Sequence, residues 1–177
     1  MRARRDLLIV LGAATLAPRI ALAQSKQPVL IGWLSATSHE SSAHLLAAFK
    51  EGLAALGWKE GSQIVIEERW ADGRAERLQP LAQELAAKKP ALIVATALHV
   101  AIAAAKTAPQ VPIVMASGGD PVAAGLVKSL ARPGGMVTGV TNLAISVTEK
   151  YLELLFAAAP KMKRVGFLTD SRIGMRA

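Results

Sequence analysis

The chain has 177 residues, 52% of them hydrophobic, with only three Trp, three Phe and one Tyr, a composition that suits one aliphatic-packed globular unit. It carries a formal charge of +8 and no cysteine, which excludes a disulfide framework, a thiolate metal site and a lipidated N-terminal cysteine. Beyond the N-terminus the basic residues are spread out, with Lys161, Lys163 and Arg164 as a local cluster and no aromatic residues among them, so nucleic acid is not an expected partner.

Residues 1–23 read as a secretory signal: Arg2, Arg4 and Arg5 open it, an apolar stretch runs from Leu7 to Ala17, and Ala21-Leu22-Ala23 supplies a small-x-small ending before Gln24. The apolar stretch is about half the roughly 20 residues of a spanning helix, so no stable membrane insertion is expected after cleavage. The leader holds four arginines and one aspartate, and its removal lowers the net charge from +8 to +5. Arg4-Arg5 matches the twin-arginine motif incompletely, which leaves the export route open.

The remainder alternates strand-like and helix-like segments. Val29–Leu34 is a continuous apolar run, as a strand buried on both faces of a parallel sheet requires. Leu45, Phe49, Gly52, Leu53 and Leu56 give an amphipathic helical stripe, closed by Gly57. Ile64–Trp70 is a strand whose Glu67, Glu68 and Arg69 place it at a sheet edge, with the two glutamates on opposite faces. A second stripe is Leu78, Leu81, Ala82, Leu85 and Ala86, closed by Pro90. Ala91–Ala95 and Pro112–Ala116 are two more buried strands, with His99 at a helix start between them. Asp120 and Pro121 read as the cap and first residue of a further helix, and Val137–Val140 closes the unit. The last helical stripe is Val147, Tyr151, Leu154, Leu155 and Ala158, with Ser146 and Glu149 as a capping box, followed by a strand over 164–169.

This β-α-β order predicts an α/β fold with a doubly wound parallel sheet. Ligands bind such sheets at the carboxyl ends of the strands, near the point where strand order reverses, which for the order 2-1-3-4-5 lies between the first and third strands. The loops there hold Ser35, Ala36 and Thr37, then Thr96 and Ala97, with Ser117, Gly118 and Asp120 one strand further along and Asn142 beyond Val137–Val140. These are the candidate ligand-binding residues, suited to a small polar molecule. The glycines of Ser117-Gly118-Gly119-Asp120-Pro121 let the backbone turn off its strand and approach a ligand. A capping Asp120 would satisfy donors at the following turn, so a ligand carboxylate is expected near Ser35, Thr37 or Thr96, and Asp120 would suit an ammonium group.

No catalytic residue, cofactor or metal is expected. Gly-x-Ser-x-Gly, Gly-x-Gly-x-x-Gly and phosphate-loop motifs are absent from the sequence, and Ser117 has no local base to activate it. His39 and His44 are five apart, a poor spacing for joint metal binding on a helix. Core packing is the default for the tryptophans, and Trp33 is the one placed to offer a stacking platform to an aromatic ligand.

The segments "IGWLSA", "ERWADGRAERLQPLAQELAAKKPALIVATA", "VPIVMASGGDPVAAGLVKSLARPGGMVTGVTNL" and "KYLELLFAAAPKMKRVGFLTD" resemble the ABC-transporter substrate-binding protein family labelled for tryptophan and tyrosine transport. The resemblance covers the whole mature chain, and Met136 stands where the family pattern has Asn. It implies a type I periplasmic-binding-protein fold, in which two α/β lobes close on an amino-acid-like ligand that passes to an ABC permease. Two lobes need about 130–150 residues each. The expectation is therefore an essentially complete first lobe over 24–142, with 143–177 the start of a truncated second lobe. The functional expectation is a periplasmic solute-binding component of an importer, the alternative being a non-transporting remnant or stand-alone lobe.

Overall fold

The computed structural model describes residues 27–142 and 148–166. In chain order the elements are β1 (Val29–Ser35), α1 (His39–Ala55), β2 (Ile64–Trp70), a 3-10 turn (Ala75–Arg77), α2 (Leu78–Ala87), β3 (Leu92–Ala95), α3 (Leu98–Thr107), β4 (Ile113–Met115), β5 (Val137–Gly139) and α4 (Thr148–Ala158). The five strands form one parallel sheet in the order β2-β1-β3-β4-β5, so the chain reverses direction across the sheet between β1 and β3, as the sequence predicts.

Side chains alternate across the sheet and build two cores. On one face Ile31 and Trp33 of β1, Ile64 of β2 and Val94 of β3 pack with Leu46, Phe49 and Leu53 of α1. On the other, Leu34, Ile93, Ala95, Ile113 and Met115 meet Leu78, Leu81, Ala82 and Leu85 of α2 and Val100, Ala101 and Ala104 of α3. Each fully buried leucine or valine here contributes about 1.5–3 kcal/mol of transfer free energy. The α2 stripe is the one the sequence predicts, with Leu78, Leu81, Ala82 and Leu85 buried. β2 lies at the edge, and its charges serve both faces: Glu67 pairs with Lys88 of the α2 side and Glu68 with Lys50 of α1.

Three expectations need correction. The buried stripe of α1 is Ser42, Leu46, Phe49 and Leu53, while Leu45 and Leu56 are exposed. The predicted stripe shares Phe49 and Leu53 but enters and leaves on the wrong face, because Ser42 occupies a core position for its hydroxyl. Gly57 does end the helix, at φ +88, where its N–H bonds Ala54 O and that of Trp58 bonds Leu53 O. No helix follows Pro121. Asp120 Oδ1 accepts from Val122 N and Ala123 N as a cap does, but Gly125 turns into the left-handed region at φ +68 and the segment closes after a single turn. Trp33 follows the core-packing default and offers no platform: it is 2% exposed, with its ring 5.4 Å from Phe49 and 6.3 Å from Trp70. Residues 164–166 are exposed and unpaired in the described sheet, and the rest of the predicted strand, with Ser146 of the capping box, lies outside the described residues. α4 presents Tyr151, Leu154 and Phe156 to the surface.

Candidate functional site

The carboxyl edge of the sheet carries the loops that the topology singles out. Ser35 ends β1, and the register that sets Leu34 beside Ala95 brings Thr96 of the next loop alongside it. Ser35 is 1% exposed, yet its hydroxyl meets no carbonyl or charge. Thr96 Oγ1 donates to Ser35 Oγ at 3.2 Å, the Ser35 and Thr37 hydroxyls lie 2.9 Å apart, and Thr37 Oγ1 donates to Ser42 Oγ at 2.8 Å. Each hydroxyl has one proton, so the directions follow. With the threonine protons committed to Ser35 and Ser42, Ser35 donates to Thr37, and the chain runs from Thr96 through Ser35 and Thr37 to Ser42. Thr96 Oγ1 is its open end: its proton is used and its remaining capacity is as an acceptor. Ser38, the N-cap of α1, and Ser41 extend the hydroxyl cluster along the first turn of the helix.

Trp70 ends β2 opposite Ser35 and lies in the same row. Its indole N–H donates to Glu68 Oε2 at 3.1 Å, and the His39 ring stands edge-on to it, 5.3 Å between centroids. Lys50 joins Glu68 at 3.5 Å and Glu60 at 3.2 Å, so the β2 flank of the edge is a part-exposed aromatic with a charge network behind it. Exposed pairs of this kind add little to stability, about 0–1 kcal/mol each.

On the β4 side, Gly118 lies against the start of α3. A Cβ there would sit 2.8 Å from Leu98 N, and its φ of +154 disfavours any other residue. From the far side the exit of β5 closes on the same loop. Asn142 N donates to Gly118 O at 3.0 Å, and Thr141 Oγ1 reaches Gly118 O at 2.9 Å and also Gly119 O. The small apolar concavity under the 121–133 segment, lined by Met115, Pro121, Val127 and Val137, has about 50 Å³ and holds only a few waters.

His99, second residue of α3, stands close to this edge, and its partial desolvation holds the imidazole below the usual histidine value. Glu67 is held below the usual carboxylate value chiefly by its hydrogen bond from Lys88. It points to the α2 face, away from the hydroxyl chain. Among the described residues no group of three His, Cys, Asp or Glu side chains could hold a metal ion.

The family profile described as ABC transporter substrate binding protein matches residues 30–174. The chain belongs to that family. The family is described as one of substrate-binding proteins. One relative is a tyrosine-binding protein of Clostridioides difficile, 35% identical over 147 residues, which are 83% of this chain and 42% of the relative. A solved domain from Streptococcus pneumoniae in complex with L-Trp is 33% identical, with a TM-score of 0.59 over 64% of this chain and 38% of that one. The ligand-free, open structure of a substrate-binding protein with adhesive properties from Clostridium difficile is 34% identical, with a TM-score of 0.63 over 75% of this chain and 44% of that one. The chain thus spans less than half the length of these relatives.

In this member of the family, the predicted positions divide by geometry. Ser35, Thr37 and Thr96 are joined in one hydrogen-bonded chain. Ala36 and Ala97 act through backbone, Ala36 O accepting from Gly73 N at 2.7 Å and Ala97 serving as N-cap residue of α3. Gly118 and Asn142 meet through the Asn142 amide. The Ser117 side chain has no hydrogen-bond partner among the described residues, and Asp120 has Oδ1 engaged by its own turn. Sequence reasoning missed Ser42 and Thr141. Neither has a local signal, since each is defined by a contact across the fold.

Proposed function

We propose that the chain is the ligand-holding lobe of the binding component of an ABC importer, and that it works outside the cytoplasmic membrane after loss of residues 1–23. Its ligand is an α-amino acid, with aromatic ones first. Residues 24–142 are this lobe, residues after 142 lead into a second one that forms the far wall of the crevice, and an ABC permease receives the ligand. The directed hydroxyl chain at the point of strand reversal carries the reading. A chain ending in the Thr96 acceptor suits a ligand ammonium group rather than the carboxylate expected there from the sequence, because the Thr96 proton is already used. The tyrosine named for one relative and the L-Trp bound by another support an aromatic amino acid. The apolar leader supports export, and among the described residues no helix is long and apolar enough to cross a membrane.

Calorimetry of residues 24–177 against an amino-acid panel tests it. A micromolar two-walled site has about −8.2 kcal/mol, and one wall supplying half of that binds at roughly millimolar strength. L-Trp and L-Tyr should therefore bind saturably in that range and ahead of L-Asp and L-Lys. Equal heats for all four, or none at millimolar ligand, count against the reading.

A further inference from the structure

The loop from Ser117 to Pro121 is held from β5 in a way that determines where its amides point. Thr141 Oγ1 lies 2.9 Å from Gly118 O and within hydrogen-bond distance of Gly119 O, so two successive carbonyls converge on one hydroxyl. The Asn142 amide, 3.0 Å from Gly118 O, takes the remaining acceptor capacity of that carbonyl. No cis peptide occurs among the described residues, and in a trans peptide the N–H points opposite to the C=O of the same plane. The N–H groups that share planes with the Gly118 and Gly119 carbonyls are those of Gly119 and Asp120. Both therefore point away from Thr141 and β5. β4 lies between β3 and β5 in the sheet, so Thr96 and Ser35 stand on the opposite side of this loop's strand from Thr141.

Neither the Gly119 nor the Asp120 amide has a hydrogen-bond partner among the described residues. The Asp120 carboxylate does not fill the role, because Oδ1 is turned down to Val122 N and Ala123 N at 2.8 and 3.0 Å. A Cβ added at Gly118 would meet Leu98, so the loop passes close to the start of α3. Two neighbouring donors thus share the side of the loop away from Thr141 and have no partner among the described residues.

We propose that Thr141 is a positioning residue of the ligand site, which by taking the Gly118 and Gly119 carbonyls turns the Gly119 and Asp120 amides toward the crevice as a two-donor hook for a ligand oxygen. The proposal rests on the binding function proposed above and deepens it: the hook takes a carboxylate oxygen, and the Thr96 acceptor takes an ammonium. Thr141 touches no ligand itself, so its substitution acts through the loop.

Amide NMR of the 15N-labelled chain tests it with two probes. Sodium acetate, against sodium chloride of equal ionic strength, should shift the Gly119 and Asp120 amides of the native chain. Thr141→Val and Thr141→Ala should lose most of that shift, and Thr141→Ser, which keeps the hydroxyl, should retain it. L-Trp should bind about tenfold more weakly to Thr141→Val, the loss associated with a charge-assisted hydrogen bond, while tryptamine, which lacks the carboxylate, should be unaffected. Acetate that leaves both amides unmoved in the native chain overturns the proposal, and that arm needs no variant to fold. An unchanged acetate response in folded Thr141→Val, or equal losses for L-Trp and tryptamine, overturns it as well. If acetate acts through Thr141 while no amino acid binds, the hook stands and the amino-acid reading fails.

Discussion

Two glycine-to-alanine substitutions should move stability in opposite directions, for reasons legible in the backbone. Gly139 ends β5 at φ +145, and a Cβ built there would lie 2.0 Å from Met115 O and 2.6 Å from Met115 N. Normal carbon–oxygen approaches are about 3.3 Å or longer, so β4 and β5 must part by more than about 1 Å to admit a methyl group. The Val140 N to Met115 O bond, now 2.8 Å, cannot survive that shift. Its loss costs about 1 kcal/mol and the forced backbone conformation about 1–3 kcal/mol more, a total of roughly 2–4 kcal/mol. Gly52 is the control. It is helical and exposed, and a Cβ there meets nothing within 4 Å, so Gly52→Ala should stabilise by about 0.5–1 kcal/mol through helix propensity alone. Urea unfolding followed by tryptophan fluorescence, to which buried Trp33 contributes, measures both. A loss below about 1 kcal/mol for Gly139→Ala, or any loss for Gly52→Ala, would refute the geometry from which both signs are drawn.

Ser35→Ala breaks the hydroxyl chain at its buried centre; because Thr37 and Thr96 can recover water, the stability loss should be only about 1 kcal/mol, and a loss above about 3 kcal/mol in urea unfolding would make Ser35 a structural residue instead. His99 has a lowered value in the folded chain, so the unfolded state binds its proton first; the stability this gives is complete above the ordinary value of 6.5 and is lost as pH falls through the folded one. Acidification from about pH 7.5 to pH 5 should therefore cost the native chain more stability than His99→Gln, and a native chain that loses less would reverse the assignment. Expression in a host with a Sec and twin-arginine pathway should yield periplasmic protein whose intact mass begins at Gln24; a chain retained with Met1 would remove the export reading.

The parts of the fold legible in the sequence are those where a single physical demand acts on a run of residues. Burial on both faces makes β1, β3 and β4 apolar throughout, and the charges of Glu67, Glu68 and Arg69 mark β2 as an edge, because a sheet centre would have to desolvate them. The α2 stripe is legible because its polar residues are all outside. α1 is not, since Leu45 and Leu46 are both apolar and the tie between their faces is broken by Ser42, a polar residue buried at 7% exposure to accept from Thr37. The segment after Asp120 carries a correct cap signal for one turn, and nothing in its composition announces that Gly125 will end it. At the site the same division holds. Ser35, Thr37 and Thr96 follow from strand ends and topology, whereas Ser42 and Thr141 become site neighbours only when α1 and β5 are laid on the sheet. Trp33 and Trp70 were separable only by register: Trp33 is two residues inside its strand and roofed by α1, and Trp70 stands at the very end, opposite Ser35.

In the proposed site, the arrangement of donors and acceptors along this edge bears on selectivity more than on strength. An amide pair alone takes any oxygen anion, and a hydroxyl acceptor alone takes any donor, since each is matched by many solutes. Joined on one rigid edge, they penalise a ligand that satisfies only one of them, because the other group is then left desolvated and unpaired at about 1–3 kcal/mol. Both parts are fixed before a ligand arrives, the acceptor by the direction of the Thr96-Ser35-Thr37-Ser42 chain and the amides by Thr141, so little ordering entropy remains to oppose binding. An amino acid that meets both ends leaves its side chain to choose among the neighbours of the edge, and in the row of Ser35 that neighbour is Trp70, held by Glu68 and His39 with part of its indole uncovered. An aromatic side chain gains most there, about 0.5–1.5 kcal/mol beyond its burial. Trp70→Ala should then compress the preference for L-Trp over L-Leu in calorimetry while leaving the L-Leu affinity itself unchanged, and a variant that weakens both equally would show that Trp70 only supports α1.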